Sequence, residues 1–218
     1  MASSVESRSA GKRKAIVEAA TRLFLEKGYD GTSMDDVAAL AGVSKPTVYN
    51  HFADKERLYA EVIHATTDRV DALVRLVAGT LTDAEDLEAA LTELAREFIA
   101  AIMHPQTLRL RRLVIANADR FPEVGRAWYE RGFERVLATL AACFSGFADR
   151  GLLKLGDPLM AADHFVGLLL WIPVNRAMFT GNHRARKTDL EHHSSAAVRA
   201  FLDGYRFAPD GKEPIERL

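Results

Sequence analysis

Two short helix patterns, separated by a tight turn, occur in the segment SMDDVAALAGVSKPTVYNHF. The first opens with Ser33 and Asp36 at the spacing of a capping box, and it ends at Gly42, a residue type that readily adopts a left-handed turn. The second opens with Ser44 as an N-cap and carries Pro46 in its first turn, where a missing N–H has no intrahelical partner to lose. Two helices joined so closely must cross steeply, so the segment predicts a helix-turn-helix.

The second of these helices has an apolar side and a polar side. At about 100° per residue, Val48 and Phe52 share the buried side, and Val43 can pack against Val48 across the helix start. Hydroxyl, amide and ammonium groups make up the free side: Lys45, Thr47, Tyr49 and Asn50. Such groups can contact base edges and phosphates in a major groove. The pattern favours a DNA-reading helix, although an ordinary helical hairpin with a polar surface has the same general form.

Composition favours a folded protein of one or two domains. The chain has 218 residues, of which 48% are apolar, and a net charge of −1. Cys143 is its single cysteine, so no intrachain disulfide framework is expected. The N-terminus lacks the apolar stretch of a signal peptide, and the longest apolar run, FVGLLLWIPV, is too short to cross a bilayer. We therefore expect a soluble cytoplasmic protein with no membrane partner.

Helical periodicity dominates the rest of the chain, and no run alternates at the period of a strand. The longer predicted helices are 12–27, a segment opened by a capping box at Thr82 and Glu85 and ended before Pro105, 123–149, 158–180 and 187–205. Segment 158–180 is apolar on nearly all sides and should be buried on most of them, and Pro173 predicts a kink or break within it. The predicted fold class is all-α with about nine helices.

Three segments between residue 12 and about residue 63 occur in a specific order and spacing. They are LFLEKGYDGTSMDDVA, LAGVSKPTVYNHF and ADKERLYAEVI. Together they resemble the TetR family of transcriptional regulators. The later segment LRRLVIANADRFPEVGRAWYERG is weakly similar to the AefR-like group of that family.

The resemblance implies two domains. Residues 10–65 would form a helix-turn-helix DNA-binding domain, and residues 66–218 a helical bundle for effector binding and dimerisation. The implied partner is double-stranded operator DNA, contacted through Thr32, Ser33, Ser44, Lys45, Pro46, Thr47, Tyr49, Asn50, His51 and Lys55. In that set, the residues at positions 32, 33 and 55 resemble phosphate contacts of the family. Asp35 is not a residue type expected on a DNA-binding surface, because its carboxylate repels phosphate.

The family implication for function is a repressor of transcription that a small molecule releases from DNA. An apolar or aromatic effector is expected among the helices of residues 84–172, with these candidate contacts: Phe98, Ile102, His104, Leu113, Asn117, Trp128, His164 and Trp171. Plain core packing is the alternative explanation for each aromatic residue. A homodimer is expected through residues 158–205, because a two-helix edge cannot bury so wide an apolar stripe alone.

Positive charge is concentrated before the first apolar helix pattern, at Arg8, Lys12, Arg13 and Lys14. This arm would strengthen the salt dependence of DNA binding, or it would be a solubilising tail. Cys143 is expected to be a small core residue, with redox sensing as the alternative.

Two further functions stay open at this point. One is a DNA-binding protein without a small-molecule effector. The other is a helical-bundle metalloenzyme, for which Glu61-x-x-His64 and Asp189-x-x-His192 have roughly the spacing of di-iron ligands. Both pairs fall in polar stretches, and neither a catalytic triad pattern nor a phosphate loop occurs in the sequence. We therefore expect no enzyme activity, no cofactor and no metal.

Overall fold

The computed structural model describes residues 2–181 and 186–207 of the chain. Over these residues all secondary structure is helical, apart from one isolated bridge between Leu153 and Arg206. In the part of the chain that the structure describes, nine α-helices have eight or more residues, and two more have seven. The predicted all-α fold is confirmed.

The helices follow one another closely along the chain. They are α1 (Ala2–Lys27), α2 (Met34–Ala41), α3 (Lys45–His51), α4 (Lys55–Ala65), α5 (Thr67–Leu81), α6 (Leu87–Ile102), α7 (Pro105–Ala116), α8 (Pro122–Trp128), α9 (Arg135–Asp149), α10 (Pro158–Thr180) and α11 (Lys187–Tyr205). A π-helical segment, Tyr129–Glu134, joins α8 to α9.

Local capping explains the boundaries of the first helices. In α2, Asp36 N donates to Ser33 Oγ at 3.1 Å and Ser33 N donates to Asp36 Oδ2 at 3.4 Å, which is the predicted capping box. Gly42 ends α2 with φ of 66°, a left-handed conformation that favours glycine. Ser44 caps α3, with Pro46 in the first turn. The predicted helix-turn-helix is confirmed.

The predicted start of α6 is wrong, and of the kink or break predicted at Pro173 the break does not occur. The helix predicted to open at Thr82 and Glu85 begins at Leu87 instead, because the Asp86 carboxylate accepts from Ala89 N at 3.0 Å and acts as the N-cap. Pro173 does not break α10, which continues to Thr180. Sequence spacing alone does not decide either case. The sequence offers two possible N-caps for α6, Thr82 and Asp86, and α10 is a core helix that continues through Pro173.

The first of two compact units contains residues 1–68 and 109–129. Within it α1 packs against α2 and α4, α2 against α3, and α4 against α8. Its core includes Phe24, Val37, Val48 and Tyr59, together with Leu113 from α7. The sequence predicted one division, between residues 65 and 66. The structure groups segment 109–129 with the first unit as well, because the apolar side chains of this segment belong to the core of that unit.

The second unit contains residues 69–108 and the described residues from 130 onward. In it α10 packs against α9, α11 and α6, and α6 packs against α11. Phe144, Phe165 and Phe201 lie at its centre, with ring centroids 5.2 to 5.8 Å apart. Among the described residues, α10 is the one helix long and apolar enough to cross a membrane by length and composition. Core helices of water-soluble proteins have the same composition, and one side of α10 lies in this core.

Candidate DNA-binding surface

Helix α3 lies on the first unit with the orientation that its sequence predicts. Val48 has no exposed surface and Phe52 is 5% exposed, so both anchor the helix in the core. The opposite side is open to solvent and carries Lys45, Pro46, Tyr49 and Asn50, while Thr47 and His51 are partly exposed. The predicted free side of α3 is therefore exposed. We name it the α3 face, and it consists of Lys45, Pro46, Thr47, Tyr49, Asn50 and His51.

The first turn of α3 is fixed by Ser44. Its Oγ accepts from Thr47 N at 3.3 Å and lies 2.8 Å from Thr47 Oγ1. The cap therefore gives the Thr47 amide an acceptor in addition to Ser44 O, and it also restricts the rotation of the Thr47 hydroxyl. A hydroxyl that is already oriented loses less entropy when it meets a base or phosphate.

Lys45 pairs with Asp35, which lies in the first turn of α2. The distance from Lys45 Nζ to Asp35 Oδ1 is 2.8 Å, and the hydrogen bond and the charge of Asp35 raise the pKa of Lys45. Sequence reasoning had identified Asp35 only as a group that repels phosphate. Both side chains are more than half exposed, and such pairs are weak, so the ammonium can exchange this partner for a phosphate.

Thr32 is the first predicted site residue that the structure contradicts. It is 2% exposed, and its hydroxyl donates to Gly28 O at 2.8 Å. The turn after α1 directs the side chain inward, so the predicted phosphate contact through the Thr32 side chain is wrong. Its neighbour Ser33 is exposed, and its Oγ accepts the Asp36 amide at the start of α2.

Lys55 makes contacts within the protein that the sequence did not predict. Its Nζ donates to Tyr29 O at 2.9 Å and to Thr32 O at 3.0 Å. The same Nζ lies 4.3 Å from the centroid of the Tyr29 ring. Two of the three ammonium N–H groups therefore point into the protein rather than toward a phosphate.

Tyr29 is the centre of a cluster that sequence reasoning missed. The ring is 6% exposed and contacts Phe24, Tyr59 and Phe121 at centroid distances of 4.9 to 5.8 Å. Arg120 lies over the same ring at 4.8 Å and pairs with Asp30 at 2.9 Å. The only local signal was an aromatic residue inside the short turn GYDG between two helix patterns.

The basic arm is part of α1 rather than a segment before the fold. Arg8, Lys12 and Lys14 are exposed along this helix, whose first buried residue is Ile16. Arg13 instead binds within the first unit, where it pairs with Glu61 at 2.8 Å and lies 5.2 Å from the Phe52 ring centroid. Residues 7–14 are therefore helical rather than an irregular tail, and one of the four cations links α1 to α4.

The predicted effector contacts do not form one group within a single unit. Leu113 and Asn117 are buried in the first unit, and Trp128 packs against the same core. Phe98 and Ile102 belong to the core of the second unit. The amide of Asn117 donates to Leu113 O at 2.8 Å, which satisfies it locally.

The other three predicted effector contacts lie on the surface of the chain. Trp171 is 68% exposed, and His104 and His164 are also exposed, the latter with Nδ1 2.6 Å from Tyr205 Oη. The prediction of Trp171 as a pocket wall within the chain is wrong. A helix that is apolar on all sides does not reveal in its sequence which side faces the core.

The metalloenzyme hypothesis finds no structural support. Glu61 already pairs with Arg13, and Asp189 and His192 are exposed on α11. Within residues 2–181 and 186–207 no group of three or more potential metal ligands occurs. Burial raises the pKa of the Cys143 thiol, which disfavours the reactive thiolate that a redox sensor needs.

Comparison with protein-family models places this surface in a known context. The model for bacterial regulatory proteins of the tetR family matches residues 16–62, which include α2 and α3. The model for the C-terminal domain of AefR-like transcriptional repressors matches residues 89–207, more than half of the chain. The chain belongs to the TetR family. TetR-family proteins are helix-turn-helix regulators of transcription that bind operator DNA and form homodimers.

Individual relatives agree with this assignment. A TetR-family transcriptional regulator from Mesorhizobium loti MAFF303099 has a crystal structure that matches with a TM-score of 0.86 and 53% identity, over 91% of this chain and 98% of that chain. The flavonoid-responsive regulator FrrA matches with a TM-score of 0.68 and 29% identity, over 89% of this chain and 97% of its own. The transcriptional activator FasR of Mycolicibacterium smegmatis is 36% identical over 88 residues, and the match spans only 40% of each chain.

Proposed function

We propose that this TetR-family protein binds a specific operator through the α3 face and represses transcription in the cytoplasm. The observation that supports the proposal is the rigid backing of this face. Val48 and Phe52 hold α3 in the core, while Tyr49, 43% exposed, and Asn50 extend into solvent. Exposed hydrogen-bonding groups on a fixed helix can read base edges in a major groove.

Roles within the α3 face follow from position. Lys45, Thr47, Tyr49 and Asn50 would contact bases and phosphates, and Pro46 would pack against the duplex at the helix start. Ser33, Ser44 and His51 would position the backbone of the duplex. Phosphate contacts by these residues supply affinity, and the base contacts supply sequence preference.

A homodimer through α10 and α11 would present two α3 faces to one duplex. The exposed residues of α10 include Asp163, His164 and Arg176 and also six large apolar residues, which are Leu159, Met160, Leu168, Trp171, Ile172 and Phe179. Phe179 alone is 86% exposed, which is costly in water unless another surface covers it. Two-fold symmetric regulators bind two half-sites about one turn of DNA apart. Contacting both half-sites requires two α3 faces, one from each protomer of the homodimer.

The proposed regulatory signal is a small apolar or aromatic molecule that releases the protein from its operator. The likeness to the AefR-like repressor domain supports repression, and the likeness to a regulator described as flavonoid-responsive supports an aromatic effector. Phe98 and Ile102 on α6 are the effector contacts we retain in the second unit, because both lie in or against its apolar core.

Selection of duplexes from a random pool by the purified protein tests the DNA-binding proposal. We expect one enriched sequence with two related half-sites. Tyr49→Ala should then bind that duplex about 5- to 150-fold more weakly, since a good base contact contributes about 1–3 kcal/mol. Tyr129→Ala is the matched control, because Tyr129 is 49% exposed but lies outside α3. No enriched sequence, or equal binding by both variants, contradicts the proposal.

A second experiment tests repression and its control. The selected duplex is placed over a promoter, and transcription is measured in vitro with and without the protein. Repression is expected, and a panel of flavonoids and other planar aromatic molecules is then screened for recovery of transcription. Activation instead of repression would contradict the proposed sign of regulation while leaving DNA binding intact.

A further inference from the structure

Pro173 leaves one carbonyl oxygen of α10 without its usual helical partner. In an α-helix each carbonyl oxygen accepts from the amide four residues later, so Leu169 O would accept from the amide of residue 173. Proline has no N–H, and this bond cannot form. Leu169 has no exposed surface, so water does not replace the missing donor. A buried acceptor without a donor costs free energy, and a donor from another element is therefore expected at this point.

His193 of α11 supplies that donor. Its Nε2 lies 3.0 Å from Leu169 O, across 24 residues of the chain. A carbonyl oxygen can only accept, so Nε2 carries the proton and the imidazole ring donates. Ala197, one turn further along α11, lies in the same apolar core as Leu169. The proline thus creates an acceptor in α10 that a side chain of the neighbouring helix uses.

This hydrogen bond ties the position of α11 along α10. Apolar contacts have no preferred direction, whereas a hydrogen bond requires its two heavy atoms to lie about 3 Å apart and in line. The bond also lies beside the surface through which the proposed homodimer would pack. Trp171 and Ile172 directly precede Pro173, and they are 68% and 53% exposed.

We propose that Pro173 and His193 fix the register of α11 on α10 for dimerisation, and we name this pair the register lock. His193 is a positioning residue, because it acts through Leu169 O rather than by contact with a second copy of the chain. The inference rests on the proposed interface through α10 and α11. In a monomer, α11 can shift and admit water to Leu169 O. In the dimer the partner's helices hold α11 in place, so a lost donor costs more there.

A double-mutant cycle tests the register lock. His193→Leu removes the donor and keeps a side chain of similar size. It should raise the dimer dissociation constant at least about fivefold, which corresponds to about 1 kcal/mol. Pro173→Ala restores an amide that can donate to Leu169 O within α10. In the Pro173→Ala background, His193→Leu should therefore change the dissociation constant by less than about twofold.

Sedimentation velocity over a dilution series measures each dissociation constant, and circular dichroism checks that each variant is folded. His193→Gln is the matched control, because its side-chain amide can still donate to Leu169 O. It should lose much less affinity than His193→Leu does. An equal effect of His193→Leu with and without Pro173 overturns the inference, and so does a dissociation constant that His193→Leu leaves unchanged.

NMR of the histidine ring nitrogens detects the bond in the wild-type protein, so this measurement does not depend on how the variants fold. One imidazole should be protonated at Nε2 with a slowly exchanging N–H, and this signal should be absent from His193→Gln. Failure to find the signal overturns the register lock. A dimer that survives Trp171→Asp overturns the proposed interface instead, and the N–H signal then still shows whether the bond exists.

Discussion

Neighbouring positions on α3 should respond in opposite ways to nearly isosteric changes. Val48 is fully buried, whereas Thr47 is partly exposed and bonded to Ser44. Val48→Thr places a hydroxyl in the core with almost no change of shape. Ser44 O, which a helical threonine at this position could use, already accepts from the amides of Thr47 and Val48 at 2.9 and 3.2 Å. A third donor is poorly accommodated there, so we expect a loss of about 2 kcal/mol in the free energy of unfolding.

Thr47→Val is the matched partner in the same helix turn. It removes an exposed hydroxyl and adds a methyl group at a partly exposed position, so the free energy of unfolding should stay within about 0.5 kcal/mol of wild type. The same substitution should weaken binding of the selected duplex, because it removes a polar group from the α3 face. Val48→Asp extends the series, and the buried charge should unfold the first unit.

Urea denaturation followed by circular dichroism measures the stability of each variant, and fluorescence anisotropy with the selected duplex measures binding. Binding is measured at a temperature where every variant compared is folded. The reasoning is refuted if Thr47→Val destabilises the protein as much as Val48→Thr does. It is also refuted if Thr47→Val binds the duplex like wild type and Val48→Thr is as stable as wild type, since position 48 would then not face the core.

Three further predictions concern the cap, the dimer and a buried tyrosine. Ser44→Ala should cost about 1 kcal/mol in the same denaturation experiment, because the Thr47 amide and the Thr47 hydroxyl both lose their contact with Ser44 Oγ; an unchanged midpoint would contradict the capping role. Trp171→Asp should shift sedimentation velocity profiles from dimer to monomer, because it places a charge on the exposed apolar side of α10; a dimer that persists at low micromolar concentration would argue against this interface. Burial raises the pKa of Tyr59 to about 12 from the ordinary 10.0, so the unfolded chain loses this proton first. Stability should therefore be complete below pH 10 and fall as the pH rises from 10 toward 12, and Tyr59→Phe should reduce the slope of that decline.

Much of the helix-turn-helix could be predicted because its determinants are local. The capping box at Ser33, the left-handed Gly42 and the cap at Ser44 each act over four residues or fewer, so the sequence shows them directly. The spacing of Val48 and Phe52 also indicated correctly which side of α3 is buried. Local hydrogen bonds and helical periodicity leave few alternatives at this scale.

The prediction of the effector site was weaker because apolar periodicity identifies a buried side but not its partner. Trp171 was grouped with Phe98, yet one is 68% exposed and the other 3%. Helix α10 carries apolar residues on all sides, so its sequence contains no signal that separates the core side from the exposed side. Likewise, the apolar residues of segment 109–129 fit either unit by pattern, and only packing assigns them to the first.

From the residues alone it followed that the chain is helical, where α3 begins, and which chemical groups α3 exposes. The tertiary structure decided what the cations do. Lys55 meets a turn that lies 23 to 26 residues earlier in the chain, and Arg120 pairs with Asp30 across 90 residues. A charged side chain looks the same in a sequence whether it meets a phosphate or a backbone carbonyl. Its role is set by which groups the fold brings within about 3 Å of it, and that depends on long-range packing.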